Sequence, residues 1–171
     1  MNEAKFGQLS VDGKKYDAIW VEIDGKPVAK LFYVEIDEET ILTNRETDEE
    51  FRRQGLQKTI SAALLRFMTE HNYRYIQSSI PIDNLASIAN RLSLRVPGTK
   101  HVFETKVSER ALNRLNEIAK SSQKRYPESI VFITDIKSVV PNNHSLWEKI
   151  LDAQEYLSEK RYSYDNKNQT S

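Results

Sequence analysis

The 171-residue sequence contains no cysteine, and this absence excludes a disulfide framework, a thiolate zinc site and a cysteine nucleophile. It also lacks an excess of charge of either sign, because 25 basic side chains balance 25 acidic ones. Proteins that bind nucleic acid or anionic membranes usually carry a clear basic excess, so the neutral balance disfavours both classes. The 3 histidines have no metal-ligand spacing, and we therefore expect no metal cofactor.

Long apolar runs are also missing. No stretch approaches the about 18 apolar residues of a membrane span, and residues 1–10 lack the apolar core of a signal peptide. These absences predict a cytoplasmic protein without a membrane partner. With 39% hydrophobic and 29% charged residues, the composition is that of a soluble globular protein, and the length suits one domain.

The first third of the sequence has the pattern of β-structure. Two Asp-Gly pairs, Asp12-Gly13 and Asp24-Gly25, separate runs rich in β-branched and aromatic residues. Type I′ hairpin turns need positive φ at both central residues, and Asp-Gly meets this need. We therefore predict an antiparallel meander that turns at these two pairs. Its expected strands are 6–11, 15–23, 27–36 and 40–47.

Helical spacing of apolar residues appears from Gly55 to about Glu70, where Asn72 is a suitable C-terminal cap. Further helices are expected from Asp83 or Asn84 to Pro97-Gly98, from Ser108, and from a Ser145–Glu148 capping box. Further strands are expected at 73–80, 100–107 and 129–136. The predicted fold class is α+β, with a mixed, mostly antiparallel central sheet flanked by helices and an amino-terminal β-meander. We expect one domain over residues 1–162 and a polar, disordered tail over 163–171.

The segment from Glu50 to Ile60 joins a strand end to an amphipathic helix through one glycine. Backbone N–H groups at a helix start have no intrahelical acceptor and carry the positive end of the helix dipole, so such a start binds phosphate. Gly55 would let the backbone approach a ligand closely, and the side chains of Arg52, Arg53 and Lys58 add positive charge. The same pattern also occurs as a plain connection with solvated arginines, and the residues alone leave both interpretations open.

Arg52-Arg53-Gln54-Gly55-Leu56-Gln57 resembles the Arg/Gln-x-x-Gly-x-Gly/Ala signature of the GNAT superfamily of acyl-coenzyme A N-acyltransferases. The preceding Glu50-Phe51 is similar to the acidic-aromatic pair that the family often has there. The chain departs from the signature at Gln57, where the family prefers Gly or Ala. The residues that the resemblance places around the coenzyme pyrophosphate are Arg52, Arg53, Gln54, Gly55, Leu56, Gln57 and Lys58.

A second segment, from Pro81 to Ile88, resembles the family segment that carries an Asn after the fifth strand. The resemblance implies that Asn84 lies beside the pantetheine arm of the coenzyme. Asn84 is also a plain helix cap by its chemistry, and one residue can serve both roles. The chain departs from the family at Arg91, which stands where a helix tyrosine is frequent, and in the hairpins that replace helices between the first strands.

The resemblance implies transfer of an acetyl group from acetyl-CoA to an amine. Arg45, Glu46 and Thr47 match the fourth-strand positions that line the acyl group and the pantetheine. Glu46 is therefore the candidate general base, which would take the proton of the attacking amine. Glu46 also belongs to an acidic cluster that could simply be a solvated strand end. The general acid stays open, with Tyr73, Tyr75 and Tyr156 as substitutes for the missing helix tyrosine.

Two other functions remain open at this point. The first is a non-catalytic protein that uses the GNAT fold for partner binding, which the missing tyrosine, the unusual first third and Gln57 favour. The second is a nucleic-acid modifier of the same fold, which the neutral charge makes unlikely. The sequence names neither the acceptor, a small molecule or a protein, nor the oligomeric state, for which a homodimer stays open.

Overall fold

A computed structural model describes residues 2–81, 84–108, 110–113, 117 and 129–153, without the side chains of 85, 86, 152 and 153. Residue contacts divide the chain into two compact units, one up to Gln77 and one from Ser78 onward. The predicted single domain over 1–162 remains a prediction, and the tail over 163–171 lies outside the described residues.

The first unit contains the predicted meander. Its two hairpin turns have positive φ at both central residues, 51° and 81° at Asp12-Gly13 and 53° and 75° at Asp24-Gly25. The Asp-Gly prediction is therefore confirmed, and each strand is antiparallel to the next along the chain. The four strands are β1 (Ala4–Val11), β2 (Lys14–Ile23), β3 (Lys26–Glu35) and β4 (Thr40–Thr47).

Helix α1 (Leu56–Glu70) packs its apolar stripe on β1, β2 and β3. Ile60, Leu64 and Met68 recur every four residues along this stripe and are fully buried. The helix ends as predicted, because Asn72 adopts the left-handed conformation with φ of 60°. The N–H of Tyr73 then donates to the carbonyl of Met68 over 2.9 Å, which is the hydrogen bond expected after such a cap.

Strand β5 (Tyr75–Pro81) begins in the first unit and ends in the second. The second unit has a core of its own, formed by Ile80, Ile88, Leu92, Ile130, Phe132 and Ile150. The other elements of this unit are α2 (Leu85–Leu92), β6 (Val102–Val107), β7 (Ser129–Val140) and α3 (His144–Ala153). Strands β6 and β7 pair antiparallel.

One carboxamide, that of Asn143, connects three elements of the second unit. Its Nδ2 donates to the carbonyl of Leu92 over 2.6 Å and to that of Phe103 over 3.2 Å. Its Oδ1 accepts from the N–H of Thr105 over 3.4 Å. The residue thus holds the end of α2 and strand β6 next to the start of α3, since buried polar groups are stable only when they are paired.

Several predicted boundaries are wrong. The last helix begins at His144 rather than after Ser145, and the N–H of Trp147 donates to the carbonyl of Asn143 over 3.0 Å, so Ser145 lies inside the helix. Helix α2 ends at Leu92, well before Pro97. Strand β7 runs beyond the predicted residue 136 to Val140, and β6 starts at Val102 rather than at 100.

Ser108 caps a further helix as predicted. Its Oγ accepts from the N–H of Ala111 over 3.2 Å, and its carbonyl accepts from the N–H of Leu112 over 3.1 Å. Residues 110–113 are helical, and much of the remainder of this predicted helix lies outside the described residues.

Hydrogen bonds order the strands β1-β2-β3-β4-β5-β7-β6 in one sheet. The predicted α+β class, with a mixed sheet, flanking helices and an amino-terminal meander, is confirmed. Each of the four strand pairs whose register is described is antiparallel. Within the described residues, no helix combines the length and the apolar character that crossing a membrane requires.

Candidate functional site

The turn between β4 and α1 depends on two residues with positive φ. A short 3-10 helix over Glu49–Phe51 follows β4, and then Arg53 has φ of 68° and Gly55 has φ of 75°. A Cβ added at Gly55 would meet nothing within 4 Å, so the position favours glycine for its backbone conformation and not for lack of space. This conformation starts α1 directly at Leu56, with Gly55 as the N-cap.

The start of α1 exposes a row of unpaired backbone donors. No side chain caps the helix. Gly55 accepts, through its carbonyl, the N–H groups of Lys58 and Thr59 over 3.1 and 3.3 Å. Among the residues that the structure describes, the N–H groups of residues 54–57 have no acceptor. Such a row at the positive end of a helix is suited to an anion, whereas Lys58 can contribute only its exposed side chain.

Basic side chains surround this turn at the surface. Arg52 donates from Nε to the carbonyl of Thr47 over 3.2 Å, which ties the turn to the end of β4. Arg52, Arg53 and Lys58 are all exposed. The predicted group of positive charges is therefore present on the accessible side of the turn, next to the acidic residues of the 3-10 helix.

Gln57, the residue that departs from the GNAT signature, folds back onto the sheet. Its Nε2 lies 3.0 Å from the carbonyl oxygen of Glu46, 3.0 Å from Oγ1 of Thr47 and 3.3 Å from the carbonyl oxygen of Lys30. Its Oε1 accepts from Nη1 of Arg45 over 3.2 Å. One side chain thus connects the first turn of α1 with β3 and β4, a role that the sequence reasoning missed.

Arg45 turns its side chain toward α1. Its Nη1 donates to Oγ of Ser61 over 2.7 Å as well as to Gln57, in a half-buried setting. The guanidinium therefore holds α1 against β4 through hydrogen bonds to two helix residues.

Glu46 points to the opposite face of the sheet from Arg45, because side chains alternate along a strand. Its side chain is 56% exposed, and Oε1 lies 3.2 Å from Nζ of Lys30, the residue directly opposite on β3. A cross-strand ion pair of this kind is worth less than about 1 kcal/mol at the surface. The proposed base therefore has a cationic partner that the sequence reasoning did not include.

Comparisons with known proteins bear on the fold. No family model matches the sequence, and no curated protein matches it. A solved GNAT family acetyltransferase from Elizabethkingia anophelis, with acetyl-CoA bound, superposes with a TM-score of 0.51 at 9% identity, over 70% of this chain and 74% of that one. This chain has the GNAT fold. A ribosomal-protein alanine N-acetyltransferase from Escherichia coli matches with a TM-score of 0.50 at 17% identity, over 71% of this chain and 69% of that one.

Asn84, the residue that the GNAT resemblance places beside pantetheine, caps α2 in the second unit. Its Oδ1 accepts from the N–H of Ser87 over 3.2 Å, and its carbonyl accepts from the N–H of Ile88 over 3.1 Å. The predicted cap is thus confirmed. The NH₂ group of its carboxamide has no acceptor among the described residues and stays available to a ligand.

Two of the three candidate tyrosines, Tyr73 and Tyr75, lie in the described parts of the chain, and each has a partner there. The Tyr73 hydroxyl donates to Oε2 of Glu35, and this hydrogen bond raises the pKa of Tyr73 to about 12. Tyr75 lies beside the guanidinium of Arg74, whose Cζ is 5.1 Å from the ring centre. Tyr156 lies outside the described residues. No group of three or more metal-ligating side chains occurs in the described ranges either.

Proposed function

We propose that this chain is a cytoplasmic N-acyltransferase that moves an acetyl group from acetyl-CoA to an amine. The observation that carries the proposal is the turn from Arg52 to Gln57, where a left-handed glycine begins a 15-residue helix whose first N–H groups are unpaired. The fold supports it, since the Elizabethkingia anophelis protein with this fold is a GNAT family acetyltransferase with acetyl-CoA bound.

In this proposal the coenzyme pyrophosphate binds to the N–H groups of residues 54–57. A phosphate group accepts well from unpaired backbone donors, and the helix dipole adds to the attraction. The exposed side chains of Arg52, Arg53 and Lys58 neutralise the remaining negative charge. Arg45, Glu46 and Thr47 line the acyl group and the upper pantetheine, and Asn84 contacts the pantetheine through its carboxamide.

The transfer then needs a proton acceptor beside the strand end. The amine nitrogen attacks the thioester carbonyl, a C–N bond forms, the C–S bond breaks, and the amine proton passes to the Glu46 carboxylate. The leaving thiolate takes a proton from water. Because Lys30 is paired with Glu46, the carboxylate has to release this partner or share it before it accepts the proton.

A second candidate is a non-catalytic protein that uses the same fold to bind a partner. The observation in its favour is the hydrogen bond from the carboxamide of Gln57 to the backbone carbonyl of Glu46. This carbonyl lies at the end of β4 and is then already paired within the protein. The hydrogen bond between Tyr73 and Glu35 also favours it, since it removes one candidate acid. In this case the protein has no turnover, whether or not it retains the coenzyme.

Two measurements on the full chain test the proposal. Calorimetry with acetyl-CoA and with coenzyme A measures binding at the turn. Release of free thiol from acetyl-CoA, measured over a panel of small amines and peptide amino termini, measures turnover. Binding with turnover supports the acyltransferase, and binding without turnover on any amine supports the second candidate. Absence of binding contradicts the coenzyme site itself.

A further inference from the structure

Helix α2 carries a cation, Arg91, that is buried in the second unit. Only 7% of the residue is exposed, and its neighbours Ile88 and Leu92 belong to the apolar core of this unit. Nε of Arg91 is buried without a hydrogen-bond partner, and burial is the sole cause of the shift in its pKa, with no contribution from a hydrogen bond or a nearby charge. Few arginines are buried in this way, because the guanidinium group has five N–H donors to satisfy.

An unpaired buried charge is costly. Removing a cation from water is unfavourable unless hydrogen bonds and an opposite charge compensate for it. Burial lowers the pKa of Arg91 to about 10, which still leaves the side chain charged at neutral pH. The uncompensated charge calls for an anion that the described residues do not supply.

Two further donors lie on the same face of α2. Positions 84, 87 and 91 are three and then four residues apart, so they follow one stripe of the helix. Asn84 and Ser87 are half-buried. The NH₂ group of Asn84 and the hydroxyl of Ser87 make no hydrogen bond to any described residue, although Asn84 uses its oxygen for the cap. This stripe of α2 therefore carries three side chains with hydrogen-bond donors, of which only Arg91 is charged.

We propose that Arg91 is the anchor of an oxyanion-binding site in the second unit, which takes a carboxylate or phosphate group of a ligand. The planar guanidinium pairs with either group through two parallel N–H···O bonds, a geometry that an ammonium group cannot provide. Ser87, and Asn84 when the pantetheine does not engage it, contribute neutral donors on the same stripe of α2. Residues of the second unit alone define this site, and its existence does not depend on acyl transfer.

The test measures the melting temperature of the full chain as phosphate or acetate replaces chloride at constant ionic strength. A ligand that binds only the folded state raises the Tm, by about 3 °C or more when its concentration is tenfold above its Kd. The parent should show this rise. In the Gly55→Glu background, which removes anion binding at the coenzyme turn, Arg91→Met should not show this rise. Arg91→Met should also be at least as stable as the parent in chloride, because the unpaired charge is gone. Arg91→Lys should keep only part of the response.

Arg95→Met is the matched control, since Arg95 is exposed, lies beyond the end of α2 and already donates to the carbonyl of Lys100 over 2.9 Å. It should respond to the anions as the parent does. In parallel, NMR follows the Nε–H signal of Arg91, which should shift on addition of the anion that stabilises the parent. This second measurement needs only the parent protein, so it decides the question even when a variant fails to fold.

A response to phosphate alone identifies a phosphorylated ligand, and a response to acetate alone identifies a carboxylate ligand. A response to both supports the site for oxyanions in general. The proposal is overturned when neither anion changes the Tm or the Nε–H signal of the parent, or when Arg91→Met in the Gly55→Glu background responds like the parent. Gly55→Glu should remove any anion response that arises at the coenzyme turn and leave the response that depends on Arg91, so failure of one site is distinguishable from failure of the other.

Discussion

The carboxamide of Gln57 donates to the backbone carbonyl of Glu46 over 3.0 Å and so joins the first turn of α1 to the end of β4. The same side chain accepts from Arg45, which makes it the centre of a hydrogen-bonded group between helix and sheet. The GNAT signature that this turn resembles prefers Gly or Ala at this position, and neither residue could make these bonds. In this chain the side chain at this position links helix α1 to strands β3 and β4 by hydrogen bonds.

Gln57→Ala should destabilise the protein and keep the coenzyme turn. Loss of several hydrogen bonds, together with a half-buried Arg45 left with fewer acceptors, should lower the free energy of unfolding by about 1–3 kcal/mol. Denaturant unfolding measures this change, and calorimetry with acetyl-CoA should show binding at least as tight as in the parent. Gln54→Ala is the control, since Gln54 is exposed and its substitution should change stability by less than about 0.5 kcal/mol. Equal free energies of unfolding for the two variants would show that the hydrogen bonds of Gln57 do not stabilise the protein.

Gly55→Glu should abolish coenzyme binding, because it adds a negative charge beside the N–H groups that are proposed to hold the pyrophosphate. The substitution also introduces backbone strain, since φ at Gly55 is 75°. Gly98→Glu separates the two effects, because Gly98 has φ of 77° and open space around it but lies in another loop. Calorimetry should show lost binding for the first variant and parent-like binding for the second. Tight binding by Gly55→Glu would place the coenzyme elsewhere.

Local chemistry explains which parts of the fold could be predicted. The turns at Asp12-Gly13 and Asp24-Gly25 depend on the φ preferences of two adjacent residues, and those preferences do not change with context. The start of α3 was mispredicted for the opposite reason. Ser145 has the local signal of a cap, but the carboxamide of Asn143 is held by Leu92 and Phe103, residues remote in sequence, and the helix begins directly after it.

In the candidate site, too, the local features could be predicted from the sequence and the contacts between distant residues could not. The glycine turn was predictable because strand, turn and helix follow one another in the sequence. The pairing of Lys30 with Glu46 was not, since it depends on the register between β3 and β4, which the loop after Glu35 sets. The burial of Arg91 was equally hidden, because a charged residue on an amphipathic helix is normally solvated, and only the packing of the second unit encloses it.

The phenol of Tyr73 should ionise at a higher pH than an ordinary tyrosine does. The hydrogen bond to Glu35, followed by burial, raises its pKa to about 12, so its phenol should remain neutral at a pH where ordinary tyrosines ionise. Because the folded-state pKa lies above the unfolded value, this interaction stabilises the fold below about pH 10 and its contribution is lost as the pH rises toward 12. Ultraviolet absorbance is followed against pH for the parent and for Tyr73→Phe. The difference between the two curves isolates the ionisation of Tyr73. Glu35→Gln should return its pKa toward 10, and a difference curve already centred near 10 in the parent would contradict the assignment.

Glu46→Gln should keep coenzyme binding and lower acetyl transfer by about 10² to 10⁴, the usual loss when a positioned general base is removed. The reasoning starts from β4, where Glu46 is exposed on the face away from Arg45, so an acceptor amine can reach it from solvent. The loss should be greatest at low pH, where the acceptor amine is protonated and most needs a base. Thiol release from acetyl-CoA measures the rate with whichever amine the panel identifies.

Glu38→Gln is the control, because Glu38 is an exposed acid outside the site and its variant should retain the parent rate. Undiminished turnover in Glu46→Gln would remove Glu46 from the mechanism, whereas a parent that binds the coenzyme and acetylates no amine would favour the partner-binding function.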